Sequence, residues 1–303
     1  MAKGKKVKML NLCDPKTIKQ IMDMFGLKFK KEFGQNFLTD SLTVEDIAES
    51  CSEDENVTVL EIGPGIGCLT CELAKRYRSV LALEIDSGLI PLLNYTLDGY
   101  KNATVLNEDV MEADLSKILA PYFDAGKVCV CANLPYYITT PILMKLLESG
   151  LPFESITVMV QSEVADRLCA GAGGKNCGAI TAAIDYYGKA QKLFTVDSQR
   201  FMPPPKVDSA VVKIILWKDK PIIPKSEEIF FRTIKAAFEQ RRKTLANSLT
   251  TGFSEIPKNR LTQIVTECGH KPDIRGEKLT VADLCILSDK LYEELNLNTP
   301  NKV

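Results

Sequence analysis

Four short stretches place ligand-holding groups at the ends of apolar runs. In Val59-Leu-Glu61-Ile-Gly63-Pro-Gly65-Ile-Gly67 an apolar run opens into three alternating glycines before a helical pattern resumes. Glycines in such a turn let the backbone approach a ligand closely and aim its amide N–H groups at it. Glu84 closes the next apolar run, 23 residues after Glu61, where an acidic side chain can accept hydrogen bonds from both hydroxyls of a ribose. Glu108-Asp109 follow the third run, and the fourth, Val128–Ala132, ends on Asn133-Leu134-Pro135-Tyr136-Tyr137. Open α/β sheets bind ligands at the carboxyl ends of their strands. All four clusters fall at that edge, so a nucleoside-containing cofactor is expected. The plain structural alternatives are a helix N-cap or a solvated strand end for Glu84 and Asp109, and an ordinary turn for Asn133-Leu-Pro.

The spacing of the glycines bears on which cofactor. A dinucleotide fingerprint requires G-x-G-x-x-G, but here the third glycine is Gly67 and position 68 is Cys. The pattern E-x-G-x-G-x-G instead resembles the first motif of S-adenosylmethionine-dependent methyltransferases of the doubly wound fold, a family that holds the adenine amine near the position of Asp109. Asn133-Leu-Pro-Tyr136 resembles the catalytic motif of adenine-N6 and other amino methyltransferases. An exocyclic adenine amine is a poor nucleophile because its lone pair is delocalised into the ring. The Asn133 amide oxygen and the Leu134 carbonyl could accept its two N–H bonds and hold the nitrogen closer to tetrahedral. Pro135 fixes the turn, and Tyr136 offers a face for the base.

These groups need a scaffold, and the hydrophobic periodicity supplies one. Residues 57–63, 79–86, 103–109, 127–135 and 155–161 read as strands separated by helical stretches. That predicts an α/β fold, a doubly wound, mostly parallel, seven-stranded Rossmann-like sheet, completed by the strand-like runs Lys192–Asp197 and Asp208–Trp217. Before it, Asp14 as N-cap, Pro15 at the first helical position and Gly26 as a stop frame an amphipathic helix with Ile18, Ile21, Met22 and Phe25 on one face. Thr43 and Asp46 have capping-box spacing at the start of a second helix. After Trp217 a polar, proline-containing linker leads into helical patterns only, including an uninterrupted one over residues 226–250. The expected division is a basic N-terminal arm with an amphipathic helix at 1–32, a cofactor-binding catalytic domain at 33–217 and a small all-α domain at 218–303.

Composition narrows the class. Across 303 residues, 45% hydrophobic and 25% charged, the formal net charge is -1, which argues against a surface that binds polyanions everywhere. The first 32 residues are the exception, with nine lysines (positions 3, 5, 6, 8, 16, 19, 28, 30 and 31) against three acids: either a basic arm or a solvated terminus. Ten cysteines without a secretory signal pattern argue for a reducing, cytoplasmic setting, and no apolar run is long enough for a membrane span. Cys68-x-x-Cys71 has neither a second pair nor a nearby histidine, and the only histidine is His270. No metal site is therefore expected.

Read in order, "KKEFGQNFLTD", "VLEIGPGIGCLT", "ALEID", "ANLPYYITTPILMKLL", "FMPPPKVDSAVVKI" and "AFEQRRKTLANSL" make the chain resemble, over nearly its full length, the KsgA-type small-subunit ribosomal RNA adenine dimethyltransferases. The resemblance implies transfer of two methyls to the N6 of each of two adjacent adenosines, in a loop near the 3′ end of small-subunit RNA within a partly assembled ribosomal subunit. It implies cofactor contacts at Asn36, Leu38, Gly63, Gly65, Glu84, Ile85, Asp109, Val110 and Asn133. Catalytic roles fall to Asn133, Leu134, Pro135 and Tyr136, with Phe201 and Tyr136 around a flipped adenine. Arg241, Arg242 and Lys243, on an expected helix, are candidates for RNA phosphates, their alternative being a solvated face. Cys177 stands where the family pattern has a tyrosine. The sequence carries no oligomeric signal, and a monomer is expected. The rivals are a large-subunit RNA adenine methyltransferase of the macrolide-resistance type, a non-catalytic assembly factor and, disfavoured by the glycine spacing, a nicotinamide oxidoreductase.

Overall fold

The structure, a computed structural model, describes residues 10–29 and 34–297. Lys3, Lys5, Lys6, Lys8, Lys30 and Lys31 of the basic arm lie outside the described residues. The chain divides into two compact units, one made of the residues up to Ala165 with Gln191–Leu216, the other of Asp166–Ala190 with the residues from Trp217 onward.

The first unit opens with α1 (Pro15–Met24), β1 (Phe37–Leu38) and α2 (Ser41–Cys51). The alternation β2 (Thr58–Ile62), α3 (Cys68–Arg76), β3 (Ser79–Glu84), α4 (Ile90–Thr96), β4 (Ala103–Asn107), α5 (Leu115–Ala125), β5 (Val128–Asn133), α6 (Thr139–Glu148) and β6 (Phe153–Gln161) follows. After α7 (Ser162–Leu168) and α8 (Ala179–Tyr187) come β7 (Gly188–Val196), β8 (Phe201–Met202) and β9 (Ser209–Leu216). Seven strands form one sheet in the order β4-β3-β2-β5-β6-β9-β7. The β2–β3, β3–β4, β2–β5 and β5–β6 pairs are parallel, and β9 runs antiparallel to β6. The order reverses between β2 and β5: the chain builds outward to β4, then returns to the other side of β2. A crevice forms at such a reversal, because the flanking crossovers leave in opposite directions.

Local chemistry explains the element ends. The Asp14 carboxylate accepts from the backbone N–H of Thr17 at 3.1 Å and from the Thr17 hydroxyl at 2.8 Å, Pro15 follows it, and Ile18, Ile21 and Met22 are buried. Such a cap stabilises a helix by about 1 kcal/mol. The second helix begins earlier than its sequence suggests. Asp40, not Thr43, is the N-cap of α2, and its carboxylate accepts from the Thr43 N–H at 3.3 Å and the Thr43 hydroxyl at 2.5 Å. Either residue type can cap; the buried Thr43, Val44 and Ile47 keep Thr43 inside the helix, on its core face. All five residues of β2 and the first five of β5 are buried. The α2 and α3 residues Val44, Ile47, Leu69 and Leu73 share a core with Val59, Val80, Cys129 and Cys131 of the sheet.

In the second unit α9 (Glu227–Glu239), α10 (Leu245–Gly252), α11 (Lys258–Glu267) and α12 (Val281–Leu297) enclose a core containing Phe230, Leu249, Leu261, Leu284 and Leu287. Cys177, Ala182 and Tyr186 belong to that same core, so Asp166–Ala190, expected within the 33–217 catalytic domain, packs with the helical unit. A linear pass cannot find such an excursion, since α8 has the pattern of any α/β crossover helix. Cys177 fills its place there with no exposure. The uninterrupted pattern over residues 226–250 is in fact two helices. Gln240 leaves helical geometry at φ -119°, ψ 71°, and a turn closed by Lys243 N–H to Gln240 O at 2.9 Å brings α10 back. Folding back lets Leu245, Ala246 and Leu249 join Phe230, Ile234 and Ala237 in one core, which a straight helix would leave apart.

Candidate active site

A cleft opens at the carboxyl edge of β2, β3 and β5, lined by residues 34–38, 63–66 and 133–137 together with Glu61, Cys68, Leu69, Glu84, Ile85 and Leu89. The glycine loop forms its floor. Gly63 has φ +69° and its N–H donates to Leu83 O at 2.9 Å, while a β-carbon built on it would meet no atom of the described residues within 4 Å. The backbone there faces open space that a ligand can enter. At Gly65, φ +59°, a β-carbon would come within 2.9 Å of the Phe37 ring, so both conformation and packing demand glycine. The loop closes with Gly67 N–H to Pro64 O at 2.9 Å, and Gly67 caps α3.

Two buried carboxyl groups stand over this floor. Glu84, at the end of β3 and 5% exposed, accepts from Asp86 N–H at 2.8 Å and from Gly65 N–H at 3.3 Å. Burial raises its pKa to about 7 in spite of these hydrogen bonds. Glu61, on β2, is 1% exposed and its Oε2 has no hydrogen-bond partner among the described residues. Burial, reinforced by the charge of Glu84, pushes it up to about 8. Ile85, 46% exposed, adds an apolar rim beside Glu84.

The opposite wall is the turn after β5. Asn133 Nδ2 donates to Asn36 O at 3.3 Å, and Asn36 Nδ2 donates to Gly34 O at 3.1 Å. A carbonyl can only accept, so the Asn133 amide nitrogen is committed to Asn36 and its Oδ1 is left as an acceptor. Leu134 N–H donates to Met159 O at 3.3 Å, and the Pro135 carbonyl accepts from Ile138 N–H at 3.2 Å and from the Thr139 hydroxyl at 3.1 Å, seating the turn on β6 and α6. Tyr136 shares a 2.6 Å hydrogen bond with the Ser209 hydroxyl. Burial raises the phenol's pKa above its ordinary value, so Tyr136 is a neutral surface rather than a base.

This geometry can be set beside known proteins. Residues 26–287 match the family model described as ribosomal RNA adenine dimethylase. The chain belongs to the ribosomal RNA adenine dimethylase family. It is 42% identical over 284 residues to ribosomal RNA small subunit methyltransferase A of Alkaliphilus oremlandii, covering 94% of this chain and 99% of that protein. It is 44% identical over 287 residues to the protein of the same name from Bacillus thuringiensis, covering 93% and 98%. Among solved structures, a dimethyladenosine transferase from Plasmodium falciparum matches with a TM-score of 0.67 at 25% identity over 84% of this chain and 96% of that one. The 23S rRNA methyltransferase ErmE matches with a TM-score of 0.63 at 26% identity over 85% and 100%. As a dimethylase of this family the chain is an rRNA adenine methyltransferase with the Rossmann-like sheet expected from its sequence.

Of the residues expected at the dimethylase site, Asn36, Leu38, Gly63, Gly65, Glu84, Ile85, Asn133, Leu134, Pro135 and Tyr136 line the one cleft. Asp109 and Val110 do not line it. They follow β4, where Glu108 N–H donates to Glu84 O at 3.1 Å and the Asp109 carboxylate accepts from Met111 N–H at 2.8 Å. Phe201 does not reach it either. It pairs with Leu38 between β8 and β1, and at 4% exposure its ring is packed with Leu38, Val44, Met159 and Val211. A two-residue strand shows no alternation from which its inward face could be read. Arg241, Arg242 and Lys243 are exposed, in the turn between α9 and α10 rather than on a helix. Arg241 donates to Cys177 O at 3.3 Å. Three residues escaped the sequence reading. Glu61 passed as the start of the glycine motif. Asn107, whose Nδ2 donates to Glu84 O at 2.7 Å, and Lys145, whose Nζ donates to Met111 O at 2.5 Å and Ala113 O at 3.0 Å, hold the strand ends through contacts that leave no periodic signal.

Proposed function

We propose that the chain transfers methyl groups from S-adenosylmethionine to the N6 amines of two adjacent adenosines, two methyls each, in a loop near the 3′ end of small-subunit rRNA within a partly assembled subunit. The observation that carries this reading is the Asn133 amide, held by Asn36 O so that Oδ1 remains to accept, in the same cleft as the glycine loop and Glu84. The names of the curated relatives support the small subunit as the source of the RNA.

The cleft fits such a methyl donor. Gly63 presents backbone to open space, Ile85 offers an apolar rim, and Glu84 can accept from a ribose diol. The orphaned Glu61 oxygen favours a ligand bearing positive charge. When bound, the donor supplies an electrophilic methyl on a sulfonium. The protein's part is to orient the amine. Asn133 Oδ1 and the Leu134 carbonyl accept its N–H bonds and turn its lone pair outward, and Tyr136, steadied by Ser209, stacks on the base for about 1–3 kcal/mol. No strong base is required, because the methylated amine becomes acidic and loses its proton to solvent. Asp109, in the loop after β4 whose Glu108 N–H donates to Glu84 O, is assigned to the adenine end of the donor. Arg241, Arg242 and Lys243 are assigned to RNA phosphates.

The test is methyl transfer from labelled S-adenosylmethionine to small subunits lacking the modification, with large subunits as control and products mapped by nuclease digestion and mass spectrometry. Dimethyladenosine confined to small-subunit RNA is expected. Label on the large subunit would move the chain to the activity named for ErmE, and donor binding without transfer to either would leave an assembly factor.

A further inference from the structure

We propose that Glu61 is a neutral carboxylic acid in the free protein and gives up its proton when the positively charged methyl donor binds, so that donor binding is coupled to proton release. This rests on the reading of the cleft as a sulfonium site and adds to it a division of labour between the two carboxyl groups.

The division is geometric. Glu84 has backbone N–H groups on both oxygens, from Asp86 and from Gly65, and such donors favour a carboxylate. Glu61 is buried still more completely, yet its Oε2 has none among the described residues. A carboxylate in that position has one oxygen left uncompensated, and taking up a proton relieves the cost. The groups acting on Glu61 come from three sides. From β3, Glu84 disfavours a second negative charge, and from α3 the Thr70 hydroxyl favours the carboxylate. Also on α3 are the thiols of Cys68 and Cys71, which a charge on Glu61 would push up. On β5 its registered neighbour is Cys131, whose thiol is directed to Ile47 O at 3.9 Å. None of these is a cation. The pKa of about 8 has the sign the geometry requires.

A sulfonium ligand reverses the balance by supplying the missing cation. The demethylated product carries the same amino-acid and nucleoside groups without the sulfonium charge, so it has less power to ionise Glu61. The affinity ratio of donor to product therefore increases with pH. If each donor displaces one proton, its affinity rises up to about tenfold per pH unit below the pKa of the free carboxyl.

The experiment is calorimetric titration of the full chain with S-adenosylmethionine, and separately with S-adenosylhomocysteine, in pairs of buffers with different ionisation enthalpies between about pH 6 and pH 8. Expected are release approaching one proton per donor near neutrality, clearly less release with the product, and loss of the difference in Glu61→Gln. Buffer-independent donor enthalpies with affinity flat across that range would overturn the proposal, as would equal proton release by donor and product. The wild-type comparison decides the question without the variant. Failure of the donor to bind at any pH would refute the cofactor reading itself, a distinct outcome.

Discussion

Removing the Asn133 side chain takes away an acceptor without opening a cavity, because this residue is the half-buried end of β5 while the five before it are buried. Asn133→Ala should leave donor affinity near the wild-type value and slow methyl transfer by on the order of 10²–10³-fold, the scale of losing one preorganised polar contact. Parallel calorimetry and single-turnover transfer measure the two quantities, and near-normal turnover would remove Asn133 from the chemistry. Glu84→Ala should act in the opposite order. Its ribose acceptors and its anchor to Gly65 N–H are lost together, so the donor dissociation constant should rise roughly 10- to 100-fold, the effect of about 1.5–3 kcal/mol for hydrogen bonds to a charged group. An unchanged constant would contradict the ribose assignment. Both residues were legible from type and position. The state of Glu61 was not, since a sequence shows a carboxylate but not whether anything donates to it.

Strand ends hold these side chains, and the ties between elements are where sequence patterns fall silent. Lys145 on α6 reaches the carbonyls of Met111 and Ala113 and so fixes the loop that carries Asp109. Lys145→Met keeps the length and removes the donors. It should weaken donor binding several-fold while leaving helix content unchanged, and calorimetry with circular dichroism would show both; equal affinity would mean that the loop is held elsewhere. The turn between α9 and α10 bears on the RNA. Neutralising Arg241 and Arg242 to alanine should lower the slope of log affinity against log salt by about 1.4, at roughly 0.7 per phosphate contact on a single strand. Equal slopes would make these side chains a solvated turn. Their identities were readable in sequence. Their placement was not, because no proline or glycine marks the break at Gln240, and the two helices separate only to share a core.

At the scale of the molecule, buried carboxyl groups make stability depend on pH. Glu61 titrates at about 8 in the folded protein and near 4.3 when unfolded. The folded state thus binds its proton more tightly. The contribution is fully present below the unfolded value and is lost as pH rises through the folded one, with a slope of up to about 1.4 kcal/mol per pH unit. Glu84, raised to about 7, acts with the same sign over a narrower window. Denaturant unfolding of the donor-free protein should show stability declining from about pH 5 to pH 8, and Glu61→Gln should flatten that decline. The same slope in the variant would place the titration on another group.

The amino-acid pattern alone determined the alternation of strands and helices, the glycine loop, the acidic strand end at Glu84 and the Asn133-Leu-Pro-Tyr136 turn. Each of these is written in local periodicity or in residues a few positions apart, and local sterics and burial act over that range. Folding decided what depends on distant partners. It joined Asn133 to Asn36, 97 residues earlier, turned Phe201 into the core, assigned Asp166–Ala190 to the helical unit, and left Glu61 buried with one oxygen to which none of the described residues donates. Hydrogen bonds and burial across such separations depend on which strands become neighbours, and no stretch of sequence read by itself contains that information.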